Sequence, residues 1–100
     1  MSELPGRAAM TKIDIEATET TGGWTCRVRV HEGGSTTEHT VAVSSGDLGR
    51  LAPGASDPSD LVRRSFEFLL ERESKESILR TFDVTVIGRY FPDYERTIRR

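Results

Sequence analysis

The sequence has a single cysteine, Cys26, among its 100 residues. One thiol excludes an internal disulfide and cannot build a thiolate zinc site on its own. This cysteine content is typical of a reducing compartment. No apolar run approaches the roughly 18 residues of a membrane span, and the first residues, MSELPGRAAM, lack the apolar core of a signal peptide. We therefore expect a cytoplasmic protein.

An excess of basic charge is also missing, because the formal net charge is -2 at pH 7. This balance argues against generic nucleic-acid binding and against an electrostatic membrane anchor. The sequence has no internal repeat, and its length suits one domain with one modest core. Residues 1–10 have no hydrophobic period and predict a mobile tail. Residues 11–100 are expected to form the single α+β domain.

The longest periodic segment, residues 57–73, predicts the main helix. Apolar side chains recur there at helical spacing, and charged side chains occupy the opposite face. The apolar face comprises Leu61, Phe66, Leu69 and Leu70. Asp57 is suited to cap this helix, and Pro58 suits its first position, where no backbone N–H is required. We expect the apolar face to pack on a sheet.

Residues 12–43 predict that sheet. Apolar and polar residues alternate from Lys12 and again from Trp24, as in half-buried strands. A two-residue loop at Gly33 and Gly34 predicts a hairpin between the second and third strands. The expected arrangement is a three-stranded antiparallel meander.

The hairpin loops also predict the register of the strands. The second hairpin pairs Arg29 with Glu38, Val28 with His39, Cys26 with Val41 and Trp24 with Val43. A first turn that closes at Thr21 and Gly22 pairs Asp14 with Arg29 and Glu16 with Arg27, although a turn one residue longer would shift this pairing. Core residues then face core residues, and the outer face becomes a ladder of opposite charges.

The segments on either side of the main helix predict short elements. Leu48 and Leu51 are spaced for a single helical turn, and Ser74 is suited to cap a short helix that carries Ile78 and Leu79.

Residues 82–91 admit two interpretations. Alternating apolar residues such as Phe82 and Val84 are typical of a fourth strand, whereas Asp83 as a cap and Pro92 as a stop favour a helix. We favour the helix because the caps and the periodicity agree. The predicted fold is therefore α+β: a three-stranded antiparallel meander packed against one long helix and followed by short C-terminal helices.

The sequence offers no set of residues typical of catalysis. Cys26 should face the core, where burial raises the pKa of a thiol and weakens it as a nucleophile. His39 should be half-buried on the same face, whereas His31 lies on the charged face, so the two histidines do not form a chelating pair. Carboxylates interleave with arginines, which lowers the pKa of an acid. We expect no catalytic residue, no metal and no cofactor.

Two groups of side chains are candidate binding residues. Arg27 and Arg29 lie on the outer face of the second strand, where a solvated charge ladder is the favoured interpretation and a phosphate contact is the alternative. An aromatic group near the C-terminus is the preferred interface, although core closure is its favoured role. It comprises Tyr90, Phe91 and Tyr94, and Arg96 in the basic tail is a further candidate for contact with an acidic partner.

The run SFEFLLERESKESIL, followed by RTFDVTVIGRYFPDY, resembles a family of small uncharacterised bacterial proteins that end in a similar helix and Tyr-Phe-Pro element. This resemblance spans residues 12–94 and implies no activity, cofactor or catalytic residue. Three strands followed by a helix are also similar in topology to the HicB-type antitoxins and, more remotely, to the double-stranded RNA-binding domain. The main helix lacks the lysine-bearing start of the RNA-binding domain, and no operator-binding module follows it.

The leading functional hypothesis is a non-catalytic protein-interaction module that uses a sheet edge or the aromatic C-terminal surface. Its partner would be another protein or a second copy of the chain. The alternative is a nucleic-acid-binding or antitoxin-like accessory protein that places Arg27, Arg29 and the terminal arginines on phosphates. The acidic charge balance disfavours nucleic acid, and no membrane partner is expected.

Overall fold

The computed structural model describes residues 11–99, and the predicted tail, residues 1–10, lies outside this range. The described chain is an α+β structure in which helices cover one face of a four-stranded sheet. Its elements are β1 Lys12–Thr20, β2 Gly23–Glu32, β3 Ser35–Ser44, α1 Ser45–Leu51, α2 Ser59–Leu70, a 3-10 turn Lys75–Ser77, β4 Thr81–Asp83, α3 Val86–Tyr90 and α4 Tyr94–Ile98.

The sheet has the order β1-β2-β3-β4. The first three strands form the predicted antiparallel meander, but β4 adds a fourth strand that runs parallel to β3. The prediction of a three-stranded sheet is therefore wrong in detail, and the sheet is mixed. The alternation of Phe82 and Val84 indicated this strand as an alternative, but a strand of three residues is too short for the alternation to outweigh the helix signals.

The predicted register of the meander is confirmed. Both hairpins close on two-residue loops, and every pairing counted from those loops is present in the structure. Gly33 and Gly34 both have positive φ angles, 64° and 84°, as a tight hairpin turn of this type requires. The alternation therefore places the large apolar residues of the three strands on the face that the helices cover.

The helix α2 is shorter than predicted at both ends. Asp57 lies before it and accepts the N–H of Ser59 through Oδ1 at 2.8 Å, while Pro58 occupies the cap position. At the other end, the N–H groups of Arg72 and Glu73 both donate to the carbonyl of Leu69 at 2.9 Å. Because two successive donors share one acceptor, the chain leaves the helical path before Glu73.

The core lies between the inner face of the sheet and α2. Its residues include Val28, Val30, Val41 and Val43 from the strands and Leu61, Val62 and Phe66 from α2. The helix α1 adds Leu48 and Leu51, both buried as predicted. The short element predicted after Ser74 is the 3-10 turn, which ends before Ile78 and Leu79.

Residues 82–91 contain both of the structures between which the sequence left a choice. Phe82 and Asp83 belong to β4, so the prediction of a helix is wrong for these two residues. The carboxylate of Asp83 then accepts the N–H of Thr85 at 2.9 Å and its hydroxyl at 2.7 Å. This local turn ends the strand and leads into α3, where the helical prediction holds.

Tyr94 belongs to the core and not to an exposed interface, because only 1% of it is exposed. Its hydroxyl donates to Oγ of Ser65 at 2.7 Å, and Ser65 in turn donates to the carbonyl of Leu61 at 2.8 Å. The ring also meets Phe68 edge to face, with centroids 5.3 Å apart. Burial raises the pKa of Tyr94 to about 12. Tyr94 is therefore not available as a surface binding residue.

Replacing Tyr94 with phenylalanine should lower the free energy of unfolding by about 0.5–1.5 kcal/mol, the usual net value of one buried hydrogen bond. The matched control is Tyr90→Phe, because Tyr90 is 68% exposed and its hydroxyl has no hydrogen bond within residues 11–99. The control should change stability by less than about 0.5 kcal/mol. Denaturant unfolding measures both values, and equal losses in the two variants would contradict the assignment.

Candidate functional site

An apolar groove of about 210 Å³ lies where the end of α2, residues 73–79, β4 and α3 meet. Four buried side chains line it: Leu69, Ile78, Phe82 and Ile87. Val86, Phe91 and Ser77 complete one side, and Glu73, Leu79 and Tyr90 contribute further lining residues. The groove is therefore built from one continuous stretch of the chain, residues 69–91, which folds back on itself.

Leu79 and Tyr90 distinguish this groove from the rest of the described surface. They are 49% and 68% exposed, and they are the exposed large hydrophobic side chains within residues 11–99. A single exposed apolar side chain is ordinary, but two that line one apolar groove form a patch. Such a patch is typical of a contact surface.

Hydrogen bonds to β3 position the part of the groove that carries Leu79. The N–H of Thr40 donates to the carbonyl of Arg80 at 2.7 Å, and the N–H of Val84 donates to the carbonyl of Ala42 at 3.0 Å. The sheet therefore holds both ends of β4, and the backbone beside Leu79 is fixed before any partner binds.

His39 supplies a further link between β3 and the groove. Its Nδ1–H donates to the carbonyl of Leu79 at 2.8 Å, so Nε2 is an acceptor and receives the hydroxyl of Thr37 at 2.8 Å. The histidine is 1% exposed, more deeply buried than expected, and its ring packs on Phe66. Burial lowers its pKa, while the bond to Leu79 partly opposes this shift. His39 is a neutral structural group with both nitrogens bonded.

Glu73 is the charged residue among those that line the groove in the described range. Its side chain is partly buried, and burial raises its pKa. The cations on either side of it in the sequence bind elsewhere. Arg72 stacks on Phe68, with its Cζ 3.5 Å from the ring centroid, and Nζ of Lys75 lies 2.8 Å from the carboxylate of Glu76. The carboxylate of Glu73 has no hydrogen bond or ion pair within residues 11–99.

Of the six predicted binding residues, the structure brings Tyr90 and Phe91 together in the groove. Arg96 is exposed on α4 and does not line it. Arg27 and Arg29 are exposed on the outer face of the sheet, away from the helices.

The ion pairs on the outer face follow the predicted ladder in part. Arg27 and Arg29 both approach the same carboxylate of Glu38, at 3.6 and 3.4 Å. Asp14 instead pairs with His31 at 2.8 Å, and this hydrogen bond lowers the pKa of Asp14. Arg29 and Glu38 pair as predicted. Within residues 11–99, Asp14 and Glu16 face Arg29 and Arg27 as predicted but form no ion pair with them.

Sequence reasoning missed Glu73 and Leu79 as groove residues. The sequence predicts Leu79 in a short helix, and its position after the apolar residue Ile78 does not indicate an exposed side chain. No local signal distinguishes Glu73 from the other charged residues at the end of α2. Its carboxylate lacks a partner within residues 11–99 because Arg72 and Lys75 bind other groups, and the sequence does not show where they bind.

Groups suited to chemistry are dispersed in the described range. Residues 11–99 contain no cluster of three His, Cys, Asp or Glu side chains able to hold a metal ion. Cys26 is fully buried, and burial raises its pKa to about 11. No helix in this range has the length and apolar character needed to span a membrane.

No family model matches the chain, and neither a curated protein nor a solved structure matches it. The resemblance to small bacterial proteins and the topological similarity to HicB-type antitoxins therefore stay predictions. The geometry of the groove is the basis for a functional proposal.

The lowered pKa of His39 predicts a pH dependence of stability. The unfolded chain takes up a proton near the ordinary histidine pKa of about 6.5, before the folded chain does. The free energy of unfolding should therefore fall as the pH is lowered from about 6.5 to 5, by at most about 1.4 kcal/mol per pH unit from this group.

Denaturant unfolding at several pH values measures this slope. The variant His39→Asn removes the titrating group and should flatten the slope, while His31→Asn separates the contribution of the exposed histidine. A slope that persists unchanged in His39→Asn would contradict the assignment.

Proposed function

We propose that this protein is a non-catalytic protein-interaction module that binds an apolar segment of a partner protein in the groove beside β4. The supporting observation is the convergence of Leu79 and Tyr90, the exposed large hydrophobic side chains of residues 11–99, on one groove. Covering such side chains contributes about 25 cal/mol for each Å² of apolar surface removed from water.

The size of the groove favours a protein segment over a small molecule. Its volume of about 210 Å³ is below the roughly 300–1,000 Å³ of typical ligand pockets. A partner peptide requires less space, because it inserts a side chain or two and leaves its backbone outside. Anchors of this kind supply most of the binding energy at protein interfaces.

The nucleic-acid-binding or antitoxin-like alternative has less support. Arg27 and Arg29 share the carboxylate of Glu38, and Glu16 faces Arg27 across the sheet. A phosphate would have to compete with these carboxylates. A single buried cysteine accords with a reducing compartment, and we place the module in the cytoplasm.

The variants Leu79→Ser and Tyr90→Ser should each weaken partner binding about tenfold or more, because each removes an apolar anchor. Peptides selected from a displayed random library on the wild-type protein provide the probe, and isothermal calorimetry measures their affinities. Ala42→Ser, on the exposed outer face of β3, is the control and should leave binding unchanged. Peptides that bind the wild type and both groove variants equally would contradict the proposal.

The same variants test whether the occupant of the groove is a second copy of this chain. If it is, sedimentation at increasing protein concentration would show a dimer that Leu79→Ser dissociates and Ala42→Ser retains. A monomer at all concentrations, together with peptide binding that depends on Leu79, would assign the groove to a different protein.

A further inference from the structure

We propose that Glu73 selects the partner of the groove: the bound segment carries a lysine or arginine next to its apolar side chains, and this cation pairs with the carboxylate of Glu73. This inference rests on the proposed function of the groove and adds the chemistry that the partner must have. It makes Glu73 the residue that determines specificity.

The first argument is the unpaired state of the carboxylate. Glu73 is partly buried, and within residues 11–99 it has neither a hydrogen-bond donor nor a cation beside it. Burial alone accounts for the upward shift of its pKa. Burying a charged group without a partner costs free energy, so the free protein retains an unfavourable group at this position. A bound cation would remove that cost.

The second argument is that Arg72 and Lys75, the cations nearest to Glu73 in the sequence, make contacts with other groups. Arg72 stacks on Phe68 and donates to the carbonyl of the same residue at 2.8 Å. It also donates to the carboxylate of Asp93 at 3.4 Å. Lys75 is buried and pairs with Glu76. Rearranging either one to reach Glu73 would break these contacts.

The third argument is the contrast between Glu73 and its surroundings. The other residues that line the groove are apolar or neutral, and the exposed arginines Arg80 and Arg89 do not line it. One negative group in an apolar groove matches a side chain with an apolar stem and a positive end. Lysine and arginine have this shape, since their methylene chains pack on apolar surface while the charge stays at the tip. A charge-assisted hydrogen bond is strongest where water is partly excluded.

The test compares two forms of one peptide that binds the groove, chosen because its affinity depends on Leu79. One form carries lysine at the position that faces Glu73, and the other carries glutamine there. The variant Glu73→Gln keeps the shape of the side chain and removes its charge. It should weaken binding of the lysine peptide about ten- to hundredfold, the value of a hydrogen bond to a charged group. Binding of the glutamine peptide should stay unchanged.

Charge reversal and a matched control complete the design. Glu73→Lys should prefer a peptide with glutamate at that position over the lysine peptide. Glu67→Gln, an exposed glutamate on α2, should bind both original peptides as the wild type does. Thermal unfolding at pH 7 should show a higher midpoint for Glu73→Gln than for the wild type, because the variant no longer buries a charge. A loss of binding in this variant therefore cannot be attributed to unfolding.

Two outcomes separate this inference from the proposal on which it rests. Peptides that depend on Leu79 but bind wild type and Glu73→Gln equally would overturn the role of Glu73 and leave the groove as a binding site. Peptides that bind independently of Leu79 and Tyr90 would overturn both.

Discussion

The parallel pairing of β4 with β3 is the constraint on which the rest of the structure depends. A parallel strand cannot follow its neighbour through a tight turn, so the chain must cross one face of the sheet before it returns. Residues 45–80 make that crossing and carry α1 and α2 over the apolar face. The same connection, residues 45–80, therefore covers the core and returns the chain to β3.

The groove follows from where this crossing ends. The chain leaves α2 early, turns through Lys75–Ser77 and joins β3 through only three residues of β4. The segment between the helix and the strand is held by main-chain bonds and by His39, and not by deep packing of Leu79. A rigid backbone thus presents an apolar side chain to solvent, which is a preorganised arrangement for binding. Glu73 lies in the same segment, where burial raises the pKa of its carboxyl group.

Local patterns in the sequence were sufficient to predict the meander, its register and the existence of α2. Alternation has a period of two, and Gly33 with Gly34 fixes the loop, so the pairing of Arg29 with Glu38 follows by counting. The position of β4 depends on a partner strand far away in the chain, Thr40 opposite Thr81, and no local pattern records it. The sequence left the role of Tyr94 open between interface and core for the same reason, because its hydrogen-bond partner Ser65 is 29 residues away. The aromatic cluster around Pro92 indicated Tyr90 and Phe91, which line the groove, whereas Glu73 resembles every other glutamate near a helix end.

Cys26 lies at the centre of β2 with none of its surface exposed, and its thiol is held in the protonated form at neutral pH. Alkylating reagents act on the thiolate, so they can modify this side chain only when the sheet separates from the helices. Because it is the sole cysteine of the chain, the rate of its alkylation reports the opening of the core without any added label. Cys26 is thus a native probe of the rate at which the folded chain opens.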